Sequence, residues 1–210
     1  MKGKMKGKMK AKMKAKMKAK VKGEKVEVLY FPSAGPAHTG AAVEAACRRA
    51  EELGIRKIVV VTGSGQTALK TADQFPGGKV IAVTYHSGSE IPFDDPLPPG
   101  AEEKLLKSGV EILTCGHALS GAERAVEKLG GGAPLAVAAA TLRLFGQGTK
   151  VCVEIVLMAA DAGRLSGNDV IALGGTGKGA DTALLITPAH QSSMFSLRVK
   201  EVICKPRGFK

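Results

Sequence analysis

The sequence lacks the cysteine patterns that mark metal-binding and disulfide-linked proteins. Its four cysteines are far apart, and none forms a Cys-x-x-Cys pair, so neither a zinc site nor a disulfide framework is indicated. We therefore expect no metal site, and we expect the thiols to be buried in a protein of the reducing cytoplasm. The four positions are Cys47, Cys115, Cys152 and Cys204.

Long apolar runs are also missing. The longest, at residues 151–160, contains Glu154 and is much shorter than the roughly 20 residues that a membrane-spanning helix needs. Residues 1–25 have no apolar core of the kind found in secretory signals, and they contain neither arginine nor serine, which are typical of transit peptides. We expect no membrane span and a cytoplasmic location.

Positive charge is abundant but confined to one end of the chain. The formal net charge is +12, and residues 1–25 alone hold twelve lysines and one glutamate, or +11. The other 185 residues carry 19 basic and 18 acidic side chains. The predicted folded part, residues 26–210, is thus nearly neutral, and its length suits a single domain.

The basic segment is a tetrapeptide repeat, Met-Lys-Gly/Ala-Lys. Lysines four apart repel one another in a helix, and they would form one cationic face in a strand, so we expect residues 1–25 to be disordered. Such an arm could hold nucleic acid or an anionic membrane. The alternative, a repeat-expanded leader without a role, is favoured because no aromatic residue is interleaved for base stacking.

Strands and helices alternate along residues 26–129, which predicts a parallel sheet with helices on both faces. Two helices and then three consecutive strands follow, which suggests an antiparallel addition to the sheet edge. The strands are predicted at residues 26–31, 58–61, 80–84, 110–115, 170–173, 182–187 and 197–204, and the helices at 40–53, from 68, 101–107, 120–129, 133–145 and 150–162. A proline-rich loop at residues 91–100 is long enough to act as a flap.

The turn at residues 62–67, Thr-Gly-Ser-Gly-Gln-Thr, follows a buried strand and precedes a helix. Free N–H groups, the helix dipole and hydroxyls can converge there on a phosphate, and glycine allows close approach of the backbone. The same pattern is also typical of a capped turn without a ligand. The turn alone leaves both interpretations open.

From residue 26 onward, the chain resembles the C-terminal α/β domain of pyruvate kinase in its free-standing archaeal and bacterial form. Residues 58–68 with 80–84 resemble the two strands around the hydroxyl loop of that domain, and residues 168–175 resemble its later strand and glycine turn. Further runs similar to the free-standing proteins are Tyr85-His86, Leu119-Ser120-Gly121, 151–154, 159–161, 179–182 and 188–190.

The resemblance implies a three-layer α/β/α sandwich with a mostly parallel, five-stranded sheet and an antiparallel edge. It also implies that residues 62–67 hold a phosphate, with the glycine turn near Gly174 closing over it, and that the pocket accepts flavin mononucleotide (FMN). The catalytic β/α barrel of pyruvate kinase has no counterpart here, so we do not expect pyruvate kinase activity.

FMN needs a phosphate cradle, a slot for its ring and polar partners at the ring edge. Tyr85 and His86 follow a strand end and are expected beside the ring or the ribityl chain, and Asp181 is either a ligand acceptor or a turn-forming residue. The predicted binding residues are Thr39, Thr62, Ser64, Gly65, Gln66, Thr67, Thr84, Tyr85, His86, Gly174, Gly175, Gly177 and Asp181.

Catalytic residues are not evident. His38, His86, His117 and His190 match no metal signature in their spacing, and isolated histidines are more often structural. His86 is the best candidate for an acid or base.

Three hypotheses result: a binding or regulatory module for FMN or another phosphorylated ligand, a flavin-dependent or phosphate-ester-cleaving enzyme, and a nucleic-acid or membrane tether. A homo-oligomer is suggested by the apolar helix predicted at residues 150–162.

Overall fold

One sheet of seven strands organises the fold. The computed structural model describes residues 23–89 and 91–208. The strands are β1 (Leu29–Phe31), β2 (Lys57–Val61), β3 (Lys79–Val83), β4 (Glu111–Leu113), β5 (Val170–Gly174), β6 (Thr182–Thr187) and β7 (Arg198–Pro206). The helices are α1 (Thr39–Leu53), α2 (Gln66–Gln74), α3 (Ala101–Lys107), α4 (Glu123–Lys128), α5 (Pro134–Arg143) and α6 (Gln147–Asp161). Short 3₁₀ turns occur at Pro36–His38 and Gln191–Ser196.

The strand order is β1-β7-β6-β5-β2-β3-β4. All neighbouring pairs are parallel except β5–β6 and β6–β7, so β6 alone runs in the opposite direction. The central strands are buried on both faces, and Val59, Ile81 and Ala172 are fully buried. This explains their continuous apolar runs, because a parallel sheet is covered by helices on both sides.

Two apolar cores lie on the two faces of the sheet. One contains buried residues of α1, α2 and α3, including Val43, Ala68 and Leu105. The other is built largely by α6, with Val156 and Leu157 packed against the opposite face. The three-layer α/β/α arrangement with a mostly parallel sheet and an antiparallel addition is confirmed.

The sheet has seven strands and not the five that the resemblance implied, because each of the seven apolar segments marked in the sequence pairs into it. The first strand is shorter than predicted and begins at Leu29, and α4 is shorter and begins at Glu123. Helix α2 begins at Gln66, two residues earlier than expected. Of the predicted arm at residues 1–25, residues 1–22 lie outside the part of the chain that the structure describes.

Three of the four thiols are buried, as expected, whereas Cys115 is partly exposed. Burial raises the pKa of Cys47 to about 11 and that of Cys204 to about 12, and it raises the pKa of Cys152 well above the ordinary range. These thiols stay protonated at neutral pH and therefore pack as apolar groups.

Among the described residues, no helix has both the length and the apolar character needed to cross a bilayer.

Candidate functional site

Two turns meet at the carboxyl edge of the sheet. One connects β2 to α2 and comprises residues 62–65, and the other connects β5 to β6 and comprises residues 175–181. Because β2 and β5 are parallel neighbours in the sheet, their exits lie side by side. Ligands of α/β proteins bind at this edge, so the sequence prediction and the topology indicate the same place.

A hydrogen bond inside the turn after β2 holds its conformation. The backbone N–H of Gly65 donates to the Thr62 hydroxyl over 2.9 Å, and Thr62 is buried. Gly65 has a left-handed backbone with φ of 84° and precedes α2, which has no side-chain cap. The first N–H groups of a helix have no intrahelical acceptor. They are therefore directed toward the turn at Ser64 and Gln66, whose side chains are exposed, while Thr67 is buried.

A lysine from α2 lies against the start of α1. A Cβ atom built on Gly40 would be 3.2 Å from Lys70 Nζ, so the absence of a side chain at Gly40 leaves room for the ammonium group. The start of α1 and the start of α2 both lie at the carboxyl edge. A cation beside the N-terminus of α1 makes this part of the edge electropositive.

The glycine turn packs onto the start of α1. Thr39 Oγ1 accepts the backbone N–H of Ala180 over 3.0 Å and donates to the Pro36 carbonyl. Gly179 has φ of 70°, and a Cβ there would be 2.3 Å from Thr39 Oγ1. Thr39 thus joins the two segments, and Gly177 and Lys178 are left exposed at the tip of the turn.

Two glycines of the predicted site are required by close packing. A Cβ at Gly174 would be 2.5 Å from the Gly148 carbonyl oxygen, and one at Gly175 would be 2.3 Å from the Gly179 carbonyl oxygen. Both glycines are buried. They shape the turn, whereas Gly177, the third glycine predicted here, is exposed.

Asp181 is fully buried. Its carboxylate accepts the N–H of Gly35 over 3.0 Å and the hydroxyl of Thr182 over 2.8 Å. The carboxylate therefore anchors the loop after β1 to the glycine turn. Of the two interpretations given to this residue, the structure matches the turn-forming one.

The residues after β3 form the other side of the edge. The Thr84 hydroxyl is buried, 2.8 Å from the Thr114 hydroxyl and 2.7 Å from the Tyr85 carbonyl. Tyr85 is 42% exposed, and a Cβ on Gly63 would be 3.1 Å from its ring. The ring therefore forms a wall directly beside the turn at residues 62–65.

His117 extends this aromatic wall, although it was not predicted from the sequence as a binding residue. Its ring stacks with Tyr85 at a centroid distance of 6.2 Å and makes an edge contact with His86 at 5.3 Å. Burial lowers the pKa of His117, and the charges of Lys150, His86 and Arg124 lower it further, while that of Glu154 raises it. At neutral pH, His117 is therefore an uncharged aromatic group.

The other two histidines lie elsewhere. The ring of His38 stacks on Phe31 at 4.5 Å, and His190 Nδ1 is 2.9 Å from a carboxylate oxygen of Asp161. Within residues 23–89 and 91–208, no group of histidine, cysteine and acidic side chains is placed to hold a metal ion.

The proline-rich loop approaches the turn after β2. A cavity of about 280 Å³ lies between Gly63 and this loop, where Ser89, Ile91 and residues 94–99 line it. The loop is tied to the end of β3, because the Asp94 carbonyl accepts the N–H of Gly88 over 2.9 Å and the hydroxyl of Ser87 over 3.0 Å. Phe93, at its tip, is 98% exposed. The predicted flap position is thus beside the candidate site.

Lys70 and Lys178 are cations at this edge that were not predicted from the sequence as binding residues. Lys70 follows Thr67 by three residues, which places both on one face of α2, and Lys178 lies inside the glycine turn. His117 had no local signal, because its contact with Tyr85 and His86 depends on the pairing of β3 with β4.

The family model for the pyruvate kinase α/β domain matches residues 40–186. Among solved structures, a pyruvate kinase from Cryptosporidium parvum is 19% identical, with 68% of this chain and 21% of that chain covered and a TM-score of 0.35. The pyruvate kinase of the same organism in complex with ADP is 18% identical, with 72% and 23% covered and a TM-score of 0.37. This chain therefore spans less than a quarter of the length of those proteins.

Proposed function

The chain belongs to the family of the pyruvate kinase α/β domain, and from this premise we propose that it is a binding or regulatory module for a phosphorylated ligand, FMN. The observation that carries the proposal is the start of α2. No side chain caps this helix, as is also true of the other five helices, so the position of its start at the carboxyl edge of the sheet is what supports a ligand there. Its first N–H groups remain available for an anion.

Charge supports a phosphate at this position. Lys70 lies against Gly40 at the start of α1, and Lys178 is exposed on the neighbouring glycine turn. Ser64 and Gln66 add exposed polar groups to the turn. A phosphate bound here would accept backbone N–H groups, and the positive charges of the two lysines at this edge would favour it.

The flavin ring is assigned to the side of the turn formed by Tyr85. This ring is partly exposed, lies beside Gly63 and is continued by the uncharged His117. A flat aromatic surface is suited to stacking with a conjugated ring. The cavity between Gly63 and the proline-rich loop provides the adjoining space.

A comparison of FMN with riboflavin tests the proposal, because only FMN carries the phosphate. We expect the purified protein to be yellow, or to quench the fluorescence of added FMN, and to bind riboflavin more weakly. Lys70→Met should reduce FMN affinity about tenfold, in the range expected for a charged contact of roughly 1.5 kcal/mol. The same variant should leave riboflavin affinity unchanged, whereas Tyr85→Ala should weaken both ligands.

Lys79→Met is the matched control. Lys79 begins β3 at the opposite edge of the sheet and pairs with Glu111, so its removal should not alter FMN binding. A colourless protein that fails to quench added FMN would rule out the flavin. Equal affinities for FMN and riboflavin would rule out the phosphate site.

A further inference from the structure

A second cavity lies on the other face of the sheet, among α4, α5 and α6. It has a volume of about 110 Å³, and neither the turns nor the aromatic wall described above is part of it. We infer that this cavity binds a small oxyanion, a carboxylate or a phosphate. The polar residues that line it are Ser120, Glu123, Arg124, Glu127, Arg143 and Lys150.

Lys150 provides a buried positive charge at the cavity. Its side chain is 8% exposed and forms an ion pair with Glu154, one turn further along α6. The other oxygen of Glu154 accepts the backbone N–H of Leu119 over 3.1 Å. An ammonium group has three donors, and within the described part of the chain only Glu154 accepts from Lys150. Lys150 lines the cavity and Glu154 does not, so the remaining donors are available there.

The arginines of the cavity lack acidic partners. Arg143 donates to the amide oxygen of Gln147 over 2.9 Å, and the side chain of Arg124 forms no hydrogen bond or ion pair with any residue that the structure describes. Both arginines are exposed, so an anion from solution can reach their guanidinium groups and form charge-assisted hydrogen bonds with them.

Among the described residues, neither glutamate of the lining forms an ion pair with these three cations. Both oxygens of Glu123 accept backbone N–H groups at the start of α5, from Leu135 at 2.9 Å and from Ala136 at 3.0 Å. Glu127 is exposed and forms no ion pair with Arg124 or Arg143 within the described residues. Three cations and two carboxylates thus line the cavity, a formal excess of one positive charge, and both oxygens of Glu123 already accept N–H groups.

The volume limits the size of the ligand. A cavity of 110 Å³ corresponds to roughly three or four water molecules at about 30 Å³ each. Inorganic phosphate or a carboxylate of a few carbon atoms fits this space, whereas a nucleotide does not. The second site is therefore distinct from the proposed FMN site in both position and ligand size.

His117 provides a spectroscopic signal for occupancy. Lys150 and Arg124 act on it by charge from the side of this cavity, and His86 and Glu154 are the other ionisable groups that influence it. An anion added beside Lys150 and Arg124 would favour the protonated imidazole. Binding should therefore move the titration of His117 to higher pH.

The test is an NMR titration of the histidine ring protons of the full chain, with His117→Gln used to assign the signal. Inorganic phosphate and malonate are added separately at constant ionic strength. We expect saturable binding of at least one of them and an upward shift of the His117 titration. The tighter of the two identifies the ligand as phosphate-like or carboxylate-like.

Arg124→Gln with Arg143→Gln should weaken this binding at least tenfold. Both side chains are exposed, so the variant avoids the risk to folding that accompanies a change at Lys150. Arg56→Gln, at an exposed position outside the cavity, and Lys70→Met, in the FMN site, should leave it unchanged. Absence of saturation with both anions, or equal affinity in the double-arginine variant, would overturn the inference, whatever the outcome with FMN.

Discussion

Glu154 shows how one buried charge can be accommodated in an apolar helix. Twelve of the fifteen residues of α6 are buried, among them both Glu154 and Lys150. Its carboxylate pairs with Lys150 and also accepts the Leu119 N–H. A buried carboxylate is tolerated only when its charge and its lone pairs are both satisfied.

We predict that Lys150→Met destabilises the protein by about 3–5 kcal/mol, because it leaves the Glu154 carboxylate buried without a counter-charge. Lys150→Met combined with Glu154→Gln should be markedly more stable than Lys150→Met alone. The glutamine has no charge and can still accept the Leu119 N–H. Urea unfolding of both variants measures the difference, and equal stabilities would contradict the account of the ion pair.

Helix α2 depends on the left-handed residue that precedes it. Gly65 has φ of 84° and lies next to Leu105 of α3, where an added Cβ would be 3.4 Å from the leucine side chain. Gly54, which ends α1, has φ of 65° with nothing within 4 Å of an added Cβ. The two glycines thus have similar backbones, but only Gly65 is at the proposed phosphate turn.

We predict that Gly65→Ala and Gly54→Ala each destabilise the fold by about 1–2 kcal/mol, the cost of a left-handed backbone for a residue with a side chain. Only Gly65→Ala should weaken FMN binding, because it distorts the turn that carries the first N–H groups of α2. Thermal unfolding and FMN titration of the pair separate the two effects. A loss of FMN affinity in Gly54→Ala would show that general destabilisation is responsible.

Most strands and helices could be predicted from the sequence. Continuous β-branched runs, such as residues 58–61, predicted buried strands because both faces of this sheet are covered, and α3 was predicted with its observed bounds. The strand order could not be predicted, because β7 lies between β1 and β6 and pairs with strand β1, which is far from it in the sequence. For the same reason, the contact of His117 with Tyr85 and the approach of Lys70 to Gly40 could not be predicted.

At the scale of the whole molecule, the sheet separates two polar regions. The start of α2 and Lys70 belong to the layer of α1–α3, whereas Lys150 and Arg124 belong to the layer of α4–α6. Helix α6, whose apolar sequence suggested an oligomer, is covered by its own sheet. Its hydrophobicity is therefore explained by packing within one chain. It no longer supports the predicted homo-oligomer.

Net charge is the other property of the whole molecule, and it is almost entirely located in residues 1–25. Removing them changes the formal charge from +12 to +1. We predict that any affinity of the full chain for single-stranded RNA or anionic vesicles depends on this segment and falls steeply with salt, because lysines without stacking partners bind only through charge. A filter-binding series from low to high salt, on the full chain and on residues 26–210, measures this.

The residues of the proposed FMN site all lie outside the removed segment, so FMN affinity should be equal in the two proteins. RNA affinity that survives both the deletion and high salt would show that the nearly neutral domain itself recognises nucleic acid. The charge of the chain would then be a poor guide to its partner. Loss of RNA binding with FMN binding intact would instead separate a non-specific electrostatic property of the arm from a ligand-binding property of the fold.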